Sequence, residues 1–323
     1  MNRIFISAIF VTVILQSLTG QELKRKGITT PVGFDYRPDT ISLISWNVEH
    51  FVDLHDNPYI SHPREDNPQE SMKGREALLV KALKKANADI VVLQEFESVA
   101  YLKQIADQEL ADLGYRFFAD AESFSWYMNV VIMSKVPLGT LYSYGALYTP
   151  VVDYLDDEGK PESQINLNTR MWTIDILPNE NYSFALTAVH LKAGRGERNE
   201  KMRLGQINLL KNQWARMIKE NKRADLMMVG DFNSTPDSKE MERLLEGKRG
   251  NRFIDPLSGT GIFSHPSDAP RWRIDHIIYN ENMQKEIVPN SVEVLNDLLS
   301  QTEMEALADH LPMRVSIVVG DKK

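Results

Sequence analysis

The sequence predicts an α/β fold, on three observations. Short β-like runs alternate with segments of 3.6-residue periodicity along nearly the whole chain after residue 20. Several of the β-like runs are continuously apolar, such as Ile90-Val91-Val92-Leu93, as expected of strands covered on both faces. No fixed-period repeat or low-complexity linker divides the chain, so residues 21–323 are expected to form one large domain.

The elements follow in chain order. Arg3, the apolar run Ile4 to Leu15 and the small residues Ser17, Thr19 and Gly20 have the grammar of a secretory signal peptide over residues 1–20. The run is shorter than the ~20 residues a membrane span needs, although an uncleaved anchor is the alternative. A periplasmic or secreted protein is therefore expected. Strands are predicted at Thr40–Trp46, Asp89–Leu93, Arg116–Phe118, Asn129–Ser134, Met171–Leu177, Ser183–Val189, Asp225–Val229, Ile274–Tyr279, Ser291–Leu295 and Met313–Val319. Helical stripes run through Leu78, Leu79, Ala82, Leu83 and Ala86; through Leu102, Ile105, Leu110 and Leu113; and through Ile207, Leu210, Trp214, Met217 and Ile218. Asp237 is the expected N-cap of a short helix ending near Leu245. The polar, proline-broken stretch Asp53 to Lys73 and the mixed stretch Ser143 to Thr169 are expected as loops, either functional rims or plain surface insertions.

Composition bounds the chemistry. The 323 residues include no cysteine, which excludes disulfides, thiolate metal sites and cysteine nucleophiles. The formal charge of -8 argues against coating DNA by bulk charge, though not against a local site for a phosphate ester.

The informative feature is where polar residues sit. Predicted strands run into Asn47-Val48-Glu49-His50, Gln94-Glu95, His190 and Gly230-Asp231-Phe232-Asn233. Asp309-His310 precedes the last strand. Asp275, beside Ile274, Ile277 and Ile278, must be paired if it is buried. Singly, each has a plain explanation as a turn residue or cap. Together they form an acid-rich, thiol-free set at the ends of core strands, where α/β sheets place ligands. Oxygen donors favour Mg²⁺, Mn²⁺ or Ca²⁺ over zinc.

In these residues the chain resembles the endonuclease/exonuclease/phosphatase superfamily, or deoxyribonuclease-like fold. The resemblance runs from Ile41 to Val319 through seven ordered motifs: Ser45-Trp46-Asn47-Val48-Glu49, Leu93-Gln94-Glu95, Asn129 to Lys135, His190-Leu191-Lys192, Gly230-Asp231-Phe232-Asn233, Arg273-Ile274-Asp275 and Asp309-His310-Leu311-Pro312. It implies a four-layer sandwich, with two mixed β-sheets packed face to face and helices on the outside. It also implies metal-dependent hydrolysis of phosphate esters. By the resemblance, Glu95 is the principal metal ligand, assisted by Asn47 and Asp309. Asp231 and Asn233 orient or deprotonate the attacking water, His310 faces the scissile phosphate, and Asp275 orients His310. His190 matches a second histidine of the deoxyribonuclease, lipid-phosphatase and sphingomyelinase branches. Asn129 and Arg170 are candidate substrate contacts, each with a plain structural alternative. Glu49 stands where many members have Asn or Asp, which leaves its ligation open.

The expected function is a secreted Mg²⁺-dependent phosphodiesterase, a nuclease acting on DNA or RNA. The same site on a phospholipid, sphingomyelin or inositol phosphate is the alternative, and a non-catalytic binding module ranks last. A monomer with no obligate protein partner is expected. The histidines His50, His55 and His62 read as solvated loop residues, because their spacing fits no zinc pattern.

Overall fold

The computed structural model describes residues 34–122, 128–248 and 250–320. The signal-peptide expectation for residues 1–20 lies outside them.

Among the described residues, fourteen strands and six α-helices follow in the order β1 (Thr40–Phe51), α1 (Pro68–Ser71), α2 (Arg75–Ala86), β2 (Ile90–Phe96), α3 (Val99–Glu109), β3 (Phe117–Asp120), β4 (Asn129–Ser134), β5 (Leu138–Ser143), β6 (Thr149–Leu155), β7 (Pro161–Gln164), β8 (Met171–Ile176), β9 (Phe184–His190), α4 (Glu197–Glu220), β10 (Leu226–Asp231), α5 (Lys239–Leu245), β11 (Phe253–Ile254), β12 (Asp275–Asn280), β13 (Glu293–Val294), α6 (Gln301–Leu307) and β14 (Met313–Val318). One six-stranded sheet has the order β13-β14-β1-β2-β4-β3 and the other β11-β12-β10-β9-β8-β5, with β6-β7 as a separate pair. Each large sheet is mixed. It has one parallel pair at its centre, β1 with β2 and β9 with β10, flanked by antiparallel neighbours.

Period-two alternation builds three apolar layers from these strands. Ile41, Leu43, Ile90, Val92, Val130 and Ile132 of the first sheet face Trp172, Ile174, Phe184, Leu186, Met227, Val229 and Ile277 of the second. The opposite face of the first sheet, with Ile44, Trp46, Val91 and Leu93, packs on Leu79 and Leu83 of α2, Leu102 and Ile105 of α3, and Met304 and Leu307 of α6. The outer face of the second sheet packs Met171, Val189, Met228 and Ile278 on Ile207, Leu210 and Trp214 of α4 and on Met241 and Leu244 of α5. The expected four-layer sandwich is thus the observed one.

Three local expectations are corrected. The stretch Ser143 to Thr169 is not a bare loop, because it forms the β6–β7 pair. That pair lies on α4, with Thr149 Oγ1 donating to Gly205 O at 2.8 Å and Gln164 Nε2 to Met202 O at 2.9 Å. The alternation in β6 is hidden in the sequence because apolar Leu155 is exposed along with Pro150 and Asp153, and Tyr154 is only partly buried. The cap of α5 is Ser238, whose hydroxyl accepts from Met241 N–H, while the Asp237 carboxylate takes the Thr235 hydroxyl instead. Helix α6 was unforeseen, although Ser300 and Glu303 close a full capping box at its start.

Candidate active site

The alternation that builds the central layer also builds the site. Asn47 continues the Ile41, Leu43 face of β1, and Asp231 continues the Met227, Val229 face of β10. His190 continues the Phe184, Leu186 and Ala188 face of β9. His190, Asp231 and Asp275 stand side by side in register on three adjacent strands. Because β12 and β14 run antiparallel to their neighbours, their starts lie at the same edge as the ends of β1, β2, β9 and β10. This explains why Asp309-His310 precedes its strand while the other clusters follow theirs.

Glu95 needs a special device. Strict alternation would place it opposite Gln94, on the helix side with Val91 and Leu93. Its backbone is left-handed, with φ 58°, and the pairing of β2 with β4 shifts register between Leu93 and Phe96. This bulge inserts one residue and turns the Glu95 carboxylate to the site. Asn47 Nδ2 donates to Glu95 Oε1 and to Asp231 Oδ2, both at 3.1 Å, so one amide ties the two sheets together. Its Oδ1 accepts from Glu49 N–H at 3.0 Å. The second Glu95 oxygen accepts from His50 N–H at 3.0 Å. Burial would raise Glu95, but the imidazoles of His190 and His50, with these two hydrogen bonds, outweigh it and hold the carboxyl below its ordinary range.

On the other sheet, His310 Nδ1 lies 2.8 Å from Asp275 Oδ2, which also accepts from Ser264 Oγ at 2.6 Å. With Nδ1–H donating to the carboxylate, Nε2 faces the site, 3.8 Å from Asp231 Oδ2 and 3.8 Å from Asp309 Oδ1. Burial works against charging His310, but Asp275 first, then Asp231 and Asp309, raise it to about 10. Burial raises Asp231 to about 7, against the opposing pull of the His310 charge and the hydrogen bonds from Asn233 and Asn47. His190 Nε2 lies 3.5 Å from Glu95 Oε1 and 3.8 Å from Asp231 Oδ2. Its burial is complete enough to push it down to about 4, so it is neutral at neutral pH. Asn233 adopts a left-handed backbone, φ 50°, that asparagine tolerates better than most residues. Its own N–H donates to Asp231 Oδ1 at 2.7 Å and its Nδ2 to Leu191 O at 3.1 Å. Trp46 contributes from behind, its indole donating to His310 O at 2.9 Å.

Glu95, Asp231, Asn233, Asp275, His190, His310, Asn47 and Asp309 therefore come together. Arg170 joins them: its carbonyl accepts from His190 N–H, burial lowers its guanidinium, and the charges of Glu95 and Asp231 oppose that shift. Lys192 is likewise lowered by burial and by Arg170, Arg198 and Arg203. Asn129 is buried at the start of β4, with Nδ2 donating to Glu97 O at 2.6 Å, two residues beyond Glu95. Glu49 pairs with Arg64.

His50 is not the solvated residue its spacing suggested. It belongs to β1, stacks on His62 with centroids 4.7 Å apart, and lies 3.6 Å from Glu95 through its ring nitrogen. Two further residues had no signal in the sequence. His265 Nε2 is 3.6 Å from Asp309 Oδ2, and its ring lies 4.6 Å from that of His310. Buried Arg75 donates to the carbonyls of Val48, Glu49 and Leu307, tying the end of β1 to the segment before Asp309. At the first position of an amphipathic helix, Arg75 reads as an ordinary surface cation.

The donor set suits a hard divalent cation. Glu95 and Asp309 offer partly open carboxylates, with side-chain exposures of 15% and 46%. The inner face of the site adds Asp231 and Asp275 and no sulfur. Asn47 presents its nitrogen to Glu95, so in this arrangement its role is to hold the two carboxylates apart and in place.

A family model described as "Endonuclease/Exonuclease/phosphatase family" matches residues 44–297. A search of curated protein sequences finds no match. Solved structures share the fold at low identity. Humanized TDP2 from D. rerio is 16% identical, with a TM-score of 0.56, over 86% of this chain and 99% of that one. An AP endonuclease from Archaeoglobus fulgidus is 15% identical, with a TM-score of 0.56, over 86% and 100%. The human nocturnin catalytic domain is 16% identical, with a TM-score of 0.54, over 86% and 94%.

Proposed function

The chain belongs to the endonuclease/exonuclease/phosphatase family, a family of phosphoester hydrolases, and we propose that it is a secreted, Mg²⁺-dependent phosphodiesterase acting on nucleic acid. The observation that carries the chemistry is the Asp275–His310 pair, with its free imidazole nitrogen facing Asp231 and Asp309. A phosphodiester repels nucleophiles, so a site for it needs cationic groups and an oriented base on opposite sides of phosphorus.

Glu95 and Asp309 would hold the cation. When bound, it would supply charge neutralisation at the phosphate. The remaining chemistry belongs to the chain. Asp231, raised to about 7, can accept a proton from water near neutral pH, and Asn233 fixes the orientation of its carboxylate. His310 enters as an imidazolium held by Asp275, and its Nε2–H stabilises charge growing on a phosphate oxygen. His190, kept neutral by burial, offers a hydrogen-bond donor without adding a competing charge. Arg170 and Lys192 draw the anionic substrate in.

Nucleic acid is favoured as the substrate by what two neighbours of the fold act on. One D. rerio TDP2 neighbour of the fold is described as complexed with a single-strand DNA product, and another neighbour is an AP endonuclease. Secretion rests on the N-terminal pattern of residues 1–20. The test is a panel of plasmid DNA, RNA, sphingomyelin and phosphoinositides, incubated with protein starting at Gln21, with Mg²⁺ or with chelator. Mg²⁺-dependent cleavage of DNA or RNA is expected. Absence of nucleic-acid cleavage at high enzyme concentration, with turnover of a lipid, would overturn the nuclease reading.

A further inference from the structure

A second group of carboxylates lies outside the cluster described above, in the loop between β1 and α1. Ligand oxygens of Asp56, Glu65 and Asp66 fall within 4.8 Å of one another. Asp53 lies in the same loop, and Glu97, just past β2, accepts the Asp53 N–H. Exposed acids in a loop mean little by themselves, and Asp56 and Asp66 are exposed. Glu65 is different. It is 0% exposed; Oε1 accepts from Asn57 N–H, and Oε2 is buried with no hydrogen-bond partner. A carboxylate oxygen closed off from water needs a donor or a cation. Among the described residues, none of the three carboxylates forms an ion pair, and the neighbouring guanidinium of Arg64 is taken by Glu49. The crowding is also felt further in. Burial, with the charges of Asp53 and Glu65, raises Glu97 to about 7 against the Asp53 hydrogen bond.

We propose that this loop binds a calcium ion through Asp56, Glu65 Oε2 and Asp66, at a site separate from Glu95. The donors are all oxygen, which excludes a preference for zinc. Three carboxylates on an exposed loop suit the larger ion, which accepts irregular geometry and completes six to eight ligands with carbonyls and water. Mg²⁺ demands a near-ideal octahedron. The ion would act on the active site through the loop that it orders. His62, three residues before Glu65, stacks on His50, and His50 N–H holds Glu95 Oε2. Arg64 grips both the carboxylate and the carbonyl of Glu49. A bound ion thus steadies the backbone that presents Glu95, without touching substrate. The proposal stands apart from the choice of substrate, because it concerns carboxylates that the hydrolytic chemistry does not use.

Titration calorimetry of the metal-free protein with CaCl₂ and with MgCl₂ tests it, with limited proteolysis of the 53–66 loop as a second readout. A calcium ion is expected to bind wild type and the Glu95→Gln variant alike, and to protect the loop in both. Glu65→Gln and Asp66→Asn should each weaken that binding at least tenfold, with the far-ultraviolet spectrum unchanged. Asp66 is exposed, so its variant remains informative if Glu65→Gln fails to fold. Calcium binding unaltered in Asp66→Asn and in any folded Glu65→Gln protein, or abolished by Glu95→Gln, would overturn the proposal. So would a wild type that binds no calcium, or a loop that prefers Mg²⁺.

Discussion

Replacing Asp275 with asparagine keeps the shape of the side chain that holds His310 and removes its charge. In the wild-type protein without metal, His310 rises from 6.5 to about 10 even though burial opposes the charged form. That difference corresponds to roughly 5 kcal/mol in favour of the imidazolium, at ~1.4 kcal/mol for each unit. Asp275 is the leading favourable contributor, through both its charge and the 2.8 Å contact at Nδ1, ahead of Asp231 and Asp309. Removing this leading contributor, Asp275→Asn should lower the His310 midpoint by at least one unit, or ~1.4 kcal/mol. Nitrogen-15 NMR of the imidazole, recorded against pH on metal-free protein, reads this directly. The sign for stability follows from the raised value. The stabilisation from this pair is fully present below the unfolded midpoint near 6.5 and is lost as pH rises through about 10. The stability gap between wild type and variant, measured in urea, should therefore be wider at pH 6.5 than at pH 10. A His310 midpoint that moves by less than half a unit, with a gap independent of pH, would refute the assignment of Asp275 as the group that charges His310.

Three further outcomes follow from other parts of the molecule. Glu95→Gln should weaken Mg²⁺ binding at the catalytic cluster by roughly 10- to 100-fold, read by calorimetry, because it removes the charge of the most central open carboxylate. Arg75→Ala leaves the buried carbonyls of Val48, Glu49 and Leu307 without their donor, and should cost about 3–5 kcal/mol in urea unfolding. His276 is buried and neutral: Nε2–H donates to Ser234 O, and Nδ1 accepts from Arg273, with burial pushing it down to about 4. The unfolded chain takes up a proton first as pH falls from about 6.5 towards 4. The advantage of wild type over His276→Gln should therefore shrink across that window, by up to ~3 kcal/mol, in paired denaturation curves.

The central strands were legible in sequence because each face of each sheet is dry, and continuous apolar runs such as Ile90–Leu93 have no other explanation. The site was legible for the same reason. Asn47, His190, Asp231 and Asp275 are polar residues placed on a strictly apolar face, and the alternation exposes them as exceptions. What stayed hidden lacked that contrast. The β6–β7 pair lies on a helix near the surface, and exposed Leu155 masks its period. His265 sits in a loop where histidine carries no periodic signal, and it meets Asp309 only through the pairing of distant strands. Arg75 is invisible because a buried arginine at a helix start differs from a solvated one only in what the rest of the chain brings over it. Glu95 was identifiable as a residue, but the reversal of its direction by a bulge follows from backbone geometry that composition does not encode.

The pairing of β1 with β14, Thr40 against Val318, places the first and last strands of the domain side by side at the heart of one sheet. Asn47 and His310 belong to those two arms of the chain, and no fragment lacking either contains a complete cluster. On the ribosome, β1 must wait for nearly the whole polypeptide before it finds its antiparallel partner. Contacts so distant in sequence form late and slowly. A complete cluster thus arises only when the last segment has emerged and docked, which leaves a partly synthesised chain without its assembled site.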